Sequence, residues 1–298
     1  MDFNTYKAHI TRLGERINMP QQHTAEVLRL CAAICADSDF SDAYQKIEDR
    51  FFAGDDSTRD DIARLAEEHG MEKYMATLTF CEMYSLRTLE IYGWRNYDTD
   101  VYYDSFRDLV IWGNVCLKQH GTFGIANYGW VSEQIRAAMF RIGRLQFHLI
   151  PHHAPDYTHA GVRVQHGDEV INIHIPEGDS LTREKRLDSY RRAYRFFHQT
   201  GNAVFVCDSW LLYPAHTEFL DERSNILDFM RDFEIIHFSE KHGSFDDCWR
   251  VFGFRESYDP DSLPRETGLQ RSYADRLASG GATGSGYGVF IFDGKNII

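Results

Sequence analysis

Several features that would decide the class of this protein are missing from its 298 residues. No apolar run approaches the roughly 20 residues that a membrane-spanning helix needs, and the opening residues are polar and acidic rather than typical of a signal peptide. The six cysteines include no Cys-x-x-Cys pair, and several of them stand among apolar residues. No internal repeat and no low-complexity tail is visible. These absences predict a cytoplasmic globular protein with reduced, buried thiols.

Positive charge is also scarce. The chain has 32 Lys and Arg against 45 Asp and Glu, which gives a formal net charge of −13. Such an excess of negative charge argues against general affinity for nucleic acids or anionic membranes, so neither is an expected partner. Basic residues are concentrated between positions 183 and 195, where they fit either a local basic groove or a solvated helix face. The sequence does not indicate an oligomeric state.

The chain reads as two parts with different periodicity. Apolar residues recur at helical spacing through residues 25–34, 41–52, 60–68 and 71–92. Turn-forming residues then mix with aromatics around Asn96. This pattern predicts an all-helical domain over residues 1–96 and a second domain over 97–298. Because the aromatics at the boundary need burial, we expect the two domains to be docked rather than loosely linked.

The second part mixes helices and strands, which predicts an α+β fold with a mixed sheet. Helices are predicted over residues 102–119, 130–142, 214–230 and 269–278. Strands are predicted over residues 144–150, 162–165, 170–175, 204–207, 249–252 and 289–292, with a hairpin turn at 165–169. The glycine-rich residues 280–288 lack the Lys-Ser/Thr ending of a phosphate-binding loop and are predicted to form a flexible turn or lid.

A strand–helix–strand unit within residues 170–212 is the most informative segment. The helix is indicated by Leu187, Tyr190, Tyr194 and Phe197 at helical intervals, with Ser180 or Thr182 available as its cap. A parallel crossover brings the end of its first strand beside the end of its second, and α/β proteins commonly bind ligands there. These two ends carry the candidate catalytic residues His174, Glu177, Asp208 and Ser209.

The order of elements resembles the GNAT acyltransferase fold. It is closer still to a bacterial family of acyltransferases with a helical N-terminal domain and a GNAT-like C-terminal domain. The segments that carry the resemblance are residues 143–147, 173–178, 207–212, 224–227, 263–271 and 284–288. They lie in the second part of the chain, and the first part matches as a helical companion.

The resemblance implies acyl-CoA or acetyl-CoA as co-substrate and no metal. In that superfamily the acyl-CoA lies between the two parallel strands, and backbone N–H groups at the start of the crossover helix bind its pyrophosphate. The matching positions are Gly178, Asp179, Ser180, Leu181, Thr182 and Arg183. Two features depart from the superfamily. In the phosphate-binding turn, the superfamily's spaced glycines are absent, and Glu177 and Asp179 add negative charge. Phe229 falls near the position of the tyrosine that acts as general acid in the superfamily, and Tyr213 is the nearest substitute.

Each candidate residue also has a structural explanation. His174 is either a general base or a histidine that bonds a neighbouring strand, and Glu177 is either a second base or a carboxylate favoured by the helix dipole. Asp208 and Ser209 either position the acceptor or cap the strand end. With His174 they also suggest a hydrolase, although no Gly-x-Ser-x-Gly motif flanks Ser209. Four further histidines match no closed zinc pattern, so no metal site is predicted: His148, His152, His153 and His159.

The leading hypothesis is transfer of an acyl group from a thioester to an amine or hydroxyl of a small molecule. His174 or Glu177 would act as base, residues 180–183 would bind the donor phosphate, and Asp208 with Ser209 would position the acceptor. The alternative is a GNAT-like protein that has lost transfer chemistry and binds a ligand or partner. An opening between the two parallel strands at residues 175–178 favours the enzyme, whereas a closed sheet favours the binding protein.

Overall fold

The structure is a computed structural model that describes residues 1–243 and 245–298. The chain divides into two compact units, Met1–Arg141 and Ile142–Ile298. The predicted α+β class is confirmed, with helices in the first unit and a mixed sheet in the second. The sequence placed the boundary near residue 96, but the three helices that follow belong to the first unit. Over the described residues no helix is both long and apolar enough to cross a bilayer.

The first unit consists of helices over its whole length up to residue 135. Their bounds are α1 Phe3–Ile17, α2 Gln21–Ala36, α3 Ser38–Phe52, α4 Thr58–Glu68, α5 Lys73–Trp94, α6 Thr99–Phe106, α7 Asp108–His120 and α8 Tyr128–Ile135. Asp2 and Asp37 cap α1 and α3 by accepting hydrogen bonds from backbone N–H groups of the first turn. Two predictions are wrong in detail. Residues 102–119 contain two helices, and the helix predicted over 130–142 ends at Ile135, before strand β1.

Helix α5 lies at the centre of the first unit. It is buried on all sides, unlike a surface helix with a single apolar stripe, because residues such as Met75, Phe80 and Tyr84 point in different directions and are all buried. Tyr84 also stacks on Phe51 of α3 with ring centroids 5.1 Å apart. Aromatic burial around α5 therefore contributes to the stability of this unit.

The second unit is built on a mixed sheet. The strands are β1 Met139–Ile142, β2 Leu145–Pro151, β3 Tyr157–His159, β4 Val162–Val164, β5 Glu169–His174, β6 Ala203–Ser209, β7 Glu234–Lys241 and β8 Thr283–Phe292. In the described residues six of them form one sheet in the order β1-β2-β5-β6-β8-β7, and β3 pairs with β4 in a separate hairpin. Strands β5 and β6 are parallel, and helix α9 (Arg183–Phe196) connects them. The predicted crossover unit is thereby confirmed.

The remaining helices are short, and several sequence predictions in this region are wrong. These helices are α10 His216–Phe219, α11 Asn225–Met230, α12 Cys248–Phe252 and α13 Gly268–Ala278. The single helix predicted over 214–230 is two helices, and the strand predicted over 249–252 is part of α12. The predicted strand over 162–165 pairs with β3 rather than forming a hairpin with β5.

The glycine-rich segment is a strand, so the predicted lid over residues 280–288 is wrong from Thr283 onward. Its alternate glycines allow a neighbouring turn to lie on the strand backbone. A Cβ atom at Gly286 would come within 2.1 Å of the Leu212 carbonyl oxygen, and one at Gly284 within 2.8 Å of the Tyr213 ring. The glycines in this segment therefore indicate close packing against the strand rather than flexibility.

A buried carboxyl group in α5 lowers the stability of the protein by an amount that depends on pH. Glu82 is fully buried, and neither of its carboxyl oxygens has a hydrogen-bond partner among the described residues. Burial raises its pKa from 4.5 to about 8. Because the folded-state pKa is the higher one, the folded protein binds this proton more tightly than the unfolded chain does. Glu82 is therefore tolerated at low pH and costs stability as the pH rises from about 5 to about 8.

We expect Glu82→Gln to stabilise the protein at pH 8 and to change little at pH 5. The substitution should remove a slope of about 1.4 kcal/mol per pH unit from the free energy of unfolding. Part of the slope should remain, because burial also raises the pKa of Glu48 to about 7. Urea unfolding at several pH values measures this pH dependence of the free energy of unfolding. Glu90→Gln, on the exposed face of α5, is the control. Parallel pH curves for wild type and Glu82→Gln would contradict the explanation.

Candidate functional site

The two parallel strands separate at their carboxyl ends. Their paired positions are Ile171 with Phe205 and Asn172 with Val206. Beyond these pairs each strand stays with its outer neighbour. His174 remains opposite Gln146 of β2, and Asp208 remains opposite Tyr287 of β8. The sheet therefore opens between β5 and β6, which is the geometry that favours a donor site over a closed binding surface.

The loop after β5 leads into the N-terminus of α9. Thr182 caps this helix, with its hydroxyl accepting from the Lys185 N–H, and Arg183 is the first helical residue. Gly178 has a φ of 150°, which few L-residues adopt. Glu177, Asp179 and Ser180 are exposed, whereas Leu181 is buried. The predicted phosphate-binding positions thus form one exposed turn at the positive end of a helix dipole.

Two basic side chains compensate part of the negative charge in this loop. Lys185 pairs with Asp179, with Nζ 3.0 Å from the carboxylate. Arg144, immediately before β2, donates through Nη1 to the Pro176 carbonyl at 2.7 Å and through Nε to the Asp179 carbonyl at 2.5 Å. Arg144 was not predicted as a site residue, although it lies in the segment 143–147 that carried the family resemblance. Arg144 thereby fixes the loop through two of its backbone carbonyls.

A buried ion network anchors the first turn of α9. Arg186 is completely buried and donates through Nε to Asp232 at 2.7 Å, and through Nη1 to Asp228 at 3.0 Å. Tyr190, one turn further, donates its hydroxyl to the same Asp232 at 3.1 Å. Arg186 is therefore bound inside the protein and does not offset the loop charge. Its role is to hold the helix N-terminus against the segment that follows α11.

His174 lies beside two polar residues on the same face of the sheet. Its Nε2 is 3.0 Å from Nδ1 of His148 on β2 and 3.1 Å from Nδ2 of Asn172. The two rings stack with centroids 4.8 Å apart. Burial, and then the neighbouring His148, lowers the pKa of His174 to about 3, and burial also lowers the pKa of His148. Both imidazoles are therefore uncharged at neutral pH.

Asp208 belongs to a different cluster across the opening. Its side chain is open to solvent, yet the surrounding protein removes enough water to raise its pKa, against the opposing influence of His153 and His237. Ser209 caps the 3-10 turn that follows β6, since its Oγ accepts from the Leu211 N–H at 3.2 Å. The structure thus associates Asp208 with His153 and His237, His174 with His148, and Ser209 with the turn at residues 210–212.

Three aromatic residues have different surroundings: Tyr287, and the two residues considered for the tyrosine acid, Tyr213 and Phe229. The Tyr287 hydroxyl is 2.9 Å from Nδ1 of His152, whose Nε2 is 3.0 Å from the Pro155 carbonyl. That carbonyl can only accept, so Nε2 carries the hydrogen and Tyr287 donates to His152. Tyr213 donates to Glu240 at 2.8 Å, and Phe229 is completely buried. No sequence pattern pointed to Tyr287 beyond its position among the glycines of β8.

The clustered histidines do not form a metal site in the described part of the chain. No three His, Cys, Asp or Glu side chains there are placed to hold an ion. His152 bonds Tyr287 and Pro155, His148 bonds His174, and His159 lies 3.8 Å from Glu234.

Two family models cover almost the whole chain. Residues 8–137 match the N-acyltransferase N-terminal domain, and residues 139–290 match the GNAT-like C-terminal domain, which alone accounts for more than half of the sequence. This chain belongs to the GNAT-like family, with an N-acyltransferase N-terminal domain and a GNAT-like C-terminal domain. The resemblance seen in residues 143–147, 173–178 and 207–212 is confirmed. The junction between the two matches also lies close to the division between the compact units.

Solved structures with the same fold are acyltransferases. An acyltransferase in complex with decanoyl-CoA and teicoplanin has a TM-score of 0.69 and 21% identity, covering 94% of this chain and 86% of its own. An acyltransferase in complex with CoA and 10C-teicoplanin has a TM-score of 0.69 and 20% identity, with the same coverage. At this identity the likeness establishes the fold. No curated protein matches the sequence.

We expect Asp232→Asn to lower the free energy of unfolding by about 3 kcal/mol, because it leaves the buried Arg186 charge only partly compensated. The double variant Arg186→Met/Asp232→Leu should recover most of that loss, since no buried charge remains. Lys185→Gln, which breaks an exposed pair on the same helix, should cost less than about 1 kcal/mol. Urea unfolding at pH 7 measures all three. Equal losses for Asp232→Asn and Lys185→Gln would contradict the burial argument.

Proposed function

We propose that this protein transfers an acyl group from acyl-CoA to an amine or hydroxyl of a small-molecule acceptor. The opening between β5 and β6 is the observation that carries the proposal. It is lined by polar side chains on both sides and leads directly to the exposed turn before α9. Membership in this family and the acyl-CoA complexes of structures with this fold support the same assignment.

The proposed donor site uses the turn at residues 178–183. Backbone N–H groups at the start of α9 would bind the pyrophosphate, together with the guanidinium of Arg183. The exposed carboxylate of Asp179 is offset by Lys185 at 3.0 Å, which removes part of the repulsion that the sequence suggested. The pantetheine arm would then run between the separated strands, where strand N–H groups polarise the thioester carbonyl.

The proposed acceptor site lies at the carboxyl ends of the same strands. Asp208 would bind a cationic or hydroxyl-bearing acceptor, and the Ser209 backbone would complete the wall of the site. The base is proposed to come from this region, with His174 and Glu177 as the candidates that the sequence offered. Because the pKa of His174 is lowered to about 3, that imidazole is uncharged at neutral pH but is a weak base by itself.

We expect acetyl-CoA or decanoyl-CoA to bind saturably in calorimetric titrations of the wild-type protein. Arg183→Glu should weaken binding at least about tenfold, or about 1.4 kcal/mol, because it replaces the attraction to pyrophosphate by repulsion. Arg195→Glu is the matched control, since it makes the same charge reversal in the last turn of the same helix.

Absence of heat and of thermal stabilisation with both donors would contradict the acyltransferase assignment. It would favour the alternative, a GNAT-like protein that binds a ligand or partner without transfer. Equal weakening by Arg183→Glu and Arg195→Glu would instead show that the effect is one of general charge rather than of the predicted turn.

A further inference from the structure

The imidazoles of His148 and His174 form a hydrogen-bonded pair that the sequence did not predict. His148 stands directly opposite Asn172 in the antiparallel register of β2 and β5, and His174 follows Asn172 by two residues. Residues with this spacing share one face of a sheet, so the three side chains converge. His174 lies on β5, which borders the opening, and His148 lies on the neighbouring strand β2. Both histidines are half-buried.

The hydrogen bonds determine where the protons lie. Nε2 of His174 is 3.0 Å from Nδ1 of His148, so one of these nitrogens must carry a hydrogen and the other must accept it. The Asn172 amide nitrogen, which can only donate, lies 3.1 Å from the same Nε2. Nε2 of His174 is therefore unprotonated, and its single lone pair is shared by the two donors. His148 carries its hydrogen on Nδ1, which leaves its Nε2 without one.

The orientation of the Asn172 amide supports this assignment. Asn172 is 8% exposed, and its Oδ1 is buried with no hydrogen-bond partner among the described residues. A reversed amide would place an NH₂ group with two hydrogens in that unpartnered position and would bring Oδ1 to Nε2 of His174. The orientation with the amide nitrogen at His174 pairs one of the two amide hydrogens, which the reversed orientation would leave unpaired.

We propose that His148 is the general base of the site, and that His174 and Asn172 are positioning residues that keep Nε2 of His148 unprotonated. This assignment rests on the proposed function, because it names the base for that reaction. His174 acts on His148 as a carboxylate acts on the histidine of a catalytic triad, by accepting the Nδ1 hydrogen. A neutral imidazole accepts it without adding a negative charge to the loop that holds Glu177 and Asp179.

In the transfer step His148 carries the proton from the acceptor to the leaving group. The acceptor amine nitrogen forms a bond to the thioester carbonyl carbon, and one N–H proton passes to Nε2 of His148. The C–S bond breaks, its electron pair remains on sulfur, and the proton on the imidazolium returns to the CoA thiolate directly or through water. His148 is restored to its neutral form, and the products are an amide and CoA.

Two substitutions of matched shape distinguish the roles of the two histidines. In His148→Asn the amide nitrogen replaces Nδ1 and keeps the hydrogen bond to His174, but the basic Nε2 is lost. In His174→Gln the side-chain oxygen replaces Nε2 and still accepts from His148. We expect His148→Asn to lower kcat by about 10²–10⁴-fold, the typical contribution of a general base. His174→Gln should lose at least tenfold less, and acyl-CoA binding should be unchanged in both.

Equal losses in the two variants, or a larger loss in His174→Gln, would overturn the assignment of His148 as base. Retained activity in His148→Asn would also overturn it, and would show that the role of His148 is purely structural. Circular dichroism and thermal unfolding of both variants check that the fold is intact. Asn172→Leu, which removes the amide donor, provides an additional variant if either histidine substitution disturbs folding.

The tautomers can be read without turnover. Long-range ¹H–¹⁵N spectra of the wild-type protein at pH 7 should show His148 protonated at Nδ1 and bare at Nε2, and Asn172→Leu should show a mixture. Protonation of Nε2 in wild-type His148 would overturn the inference. The predicted tautomer together with no acyl transfer to any amine would contradict the proposed function itself, and with it the catalytic role. Acyl transfer with a larger loss of kcat in His174→Gln than in His148→Asn would contradict only the choice of base.

Discussion

The separation of β5 from β6 is the constraint on which the candidate site depends. Two parallel strands with apolar cores would normally pair along their whole length. Here each is held to its outer neighbour by a longer antiparallel ladder. β2 pairs with β5 from Gln146 and His174 to Pro151 and Glu169, and β6 pairs with β8 from Ala203 and Phe292 to Ser209 and Gly286. Because the antiparallel ladders continue where the parallel one stops, the opening is a property of the sheet and not of a loop.

Two further interactions place functional groups at this opening. The buried pair of Arg186 and Asp232 fixes the start of α9, so the N–H groups of its first turn point in a defined direction. Arg144 fixes the preceding loop through the carbonyls of Pro176 and Asp179. The polar residues His148, Asn172 and His174 then lie on the sheet itself. Groups held on strands are positioned more precisely than groups on loops, which suits the proposed transfer of a proton.

The sequence predicted the part of this arrangement that depends on local periodicity. The two strands of the crossover and the helix between them follow from apolar spacing and capping signals, with Ser180 or Thr182 as the candidate cap. The family follows from short motifs. What was missed depends on contacts between distant residues. The pairing of His148 with His174 requires the register of β2 against β5. The burial of Arg186 requires Asp232, 46 positions away. In the sequence Arg186 belonged to a basic segment that fitted either a local basic groove or a solvated helix face. The glycines of β8 looked flexible because the turn that packs on them lies far away in sequence.

The most direct test of the account is a crystal structure of the protein with decanoyl-CoA. We predict that the pyrophosphate contacts the backbone N–H groups at residues 180–183 and that the pantetheine arm lies between β5 and β6. The thioester carbonyl should then lie near the carboxyl ends of the two strands, on the side of His148 and His174. CoA bound outside the opening, or an opening closed by pairing of His174 with Asp208, would contradict the account.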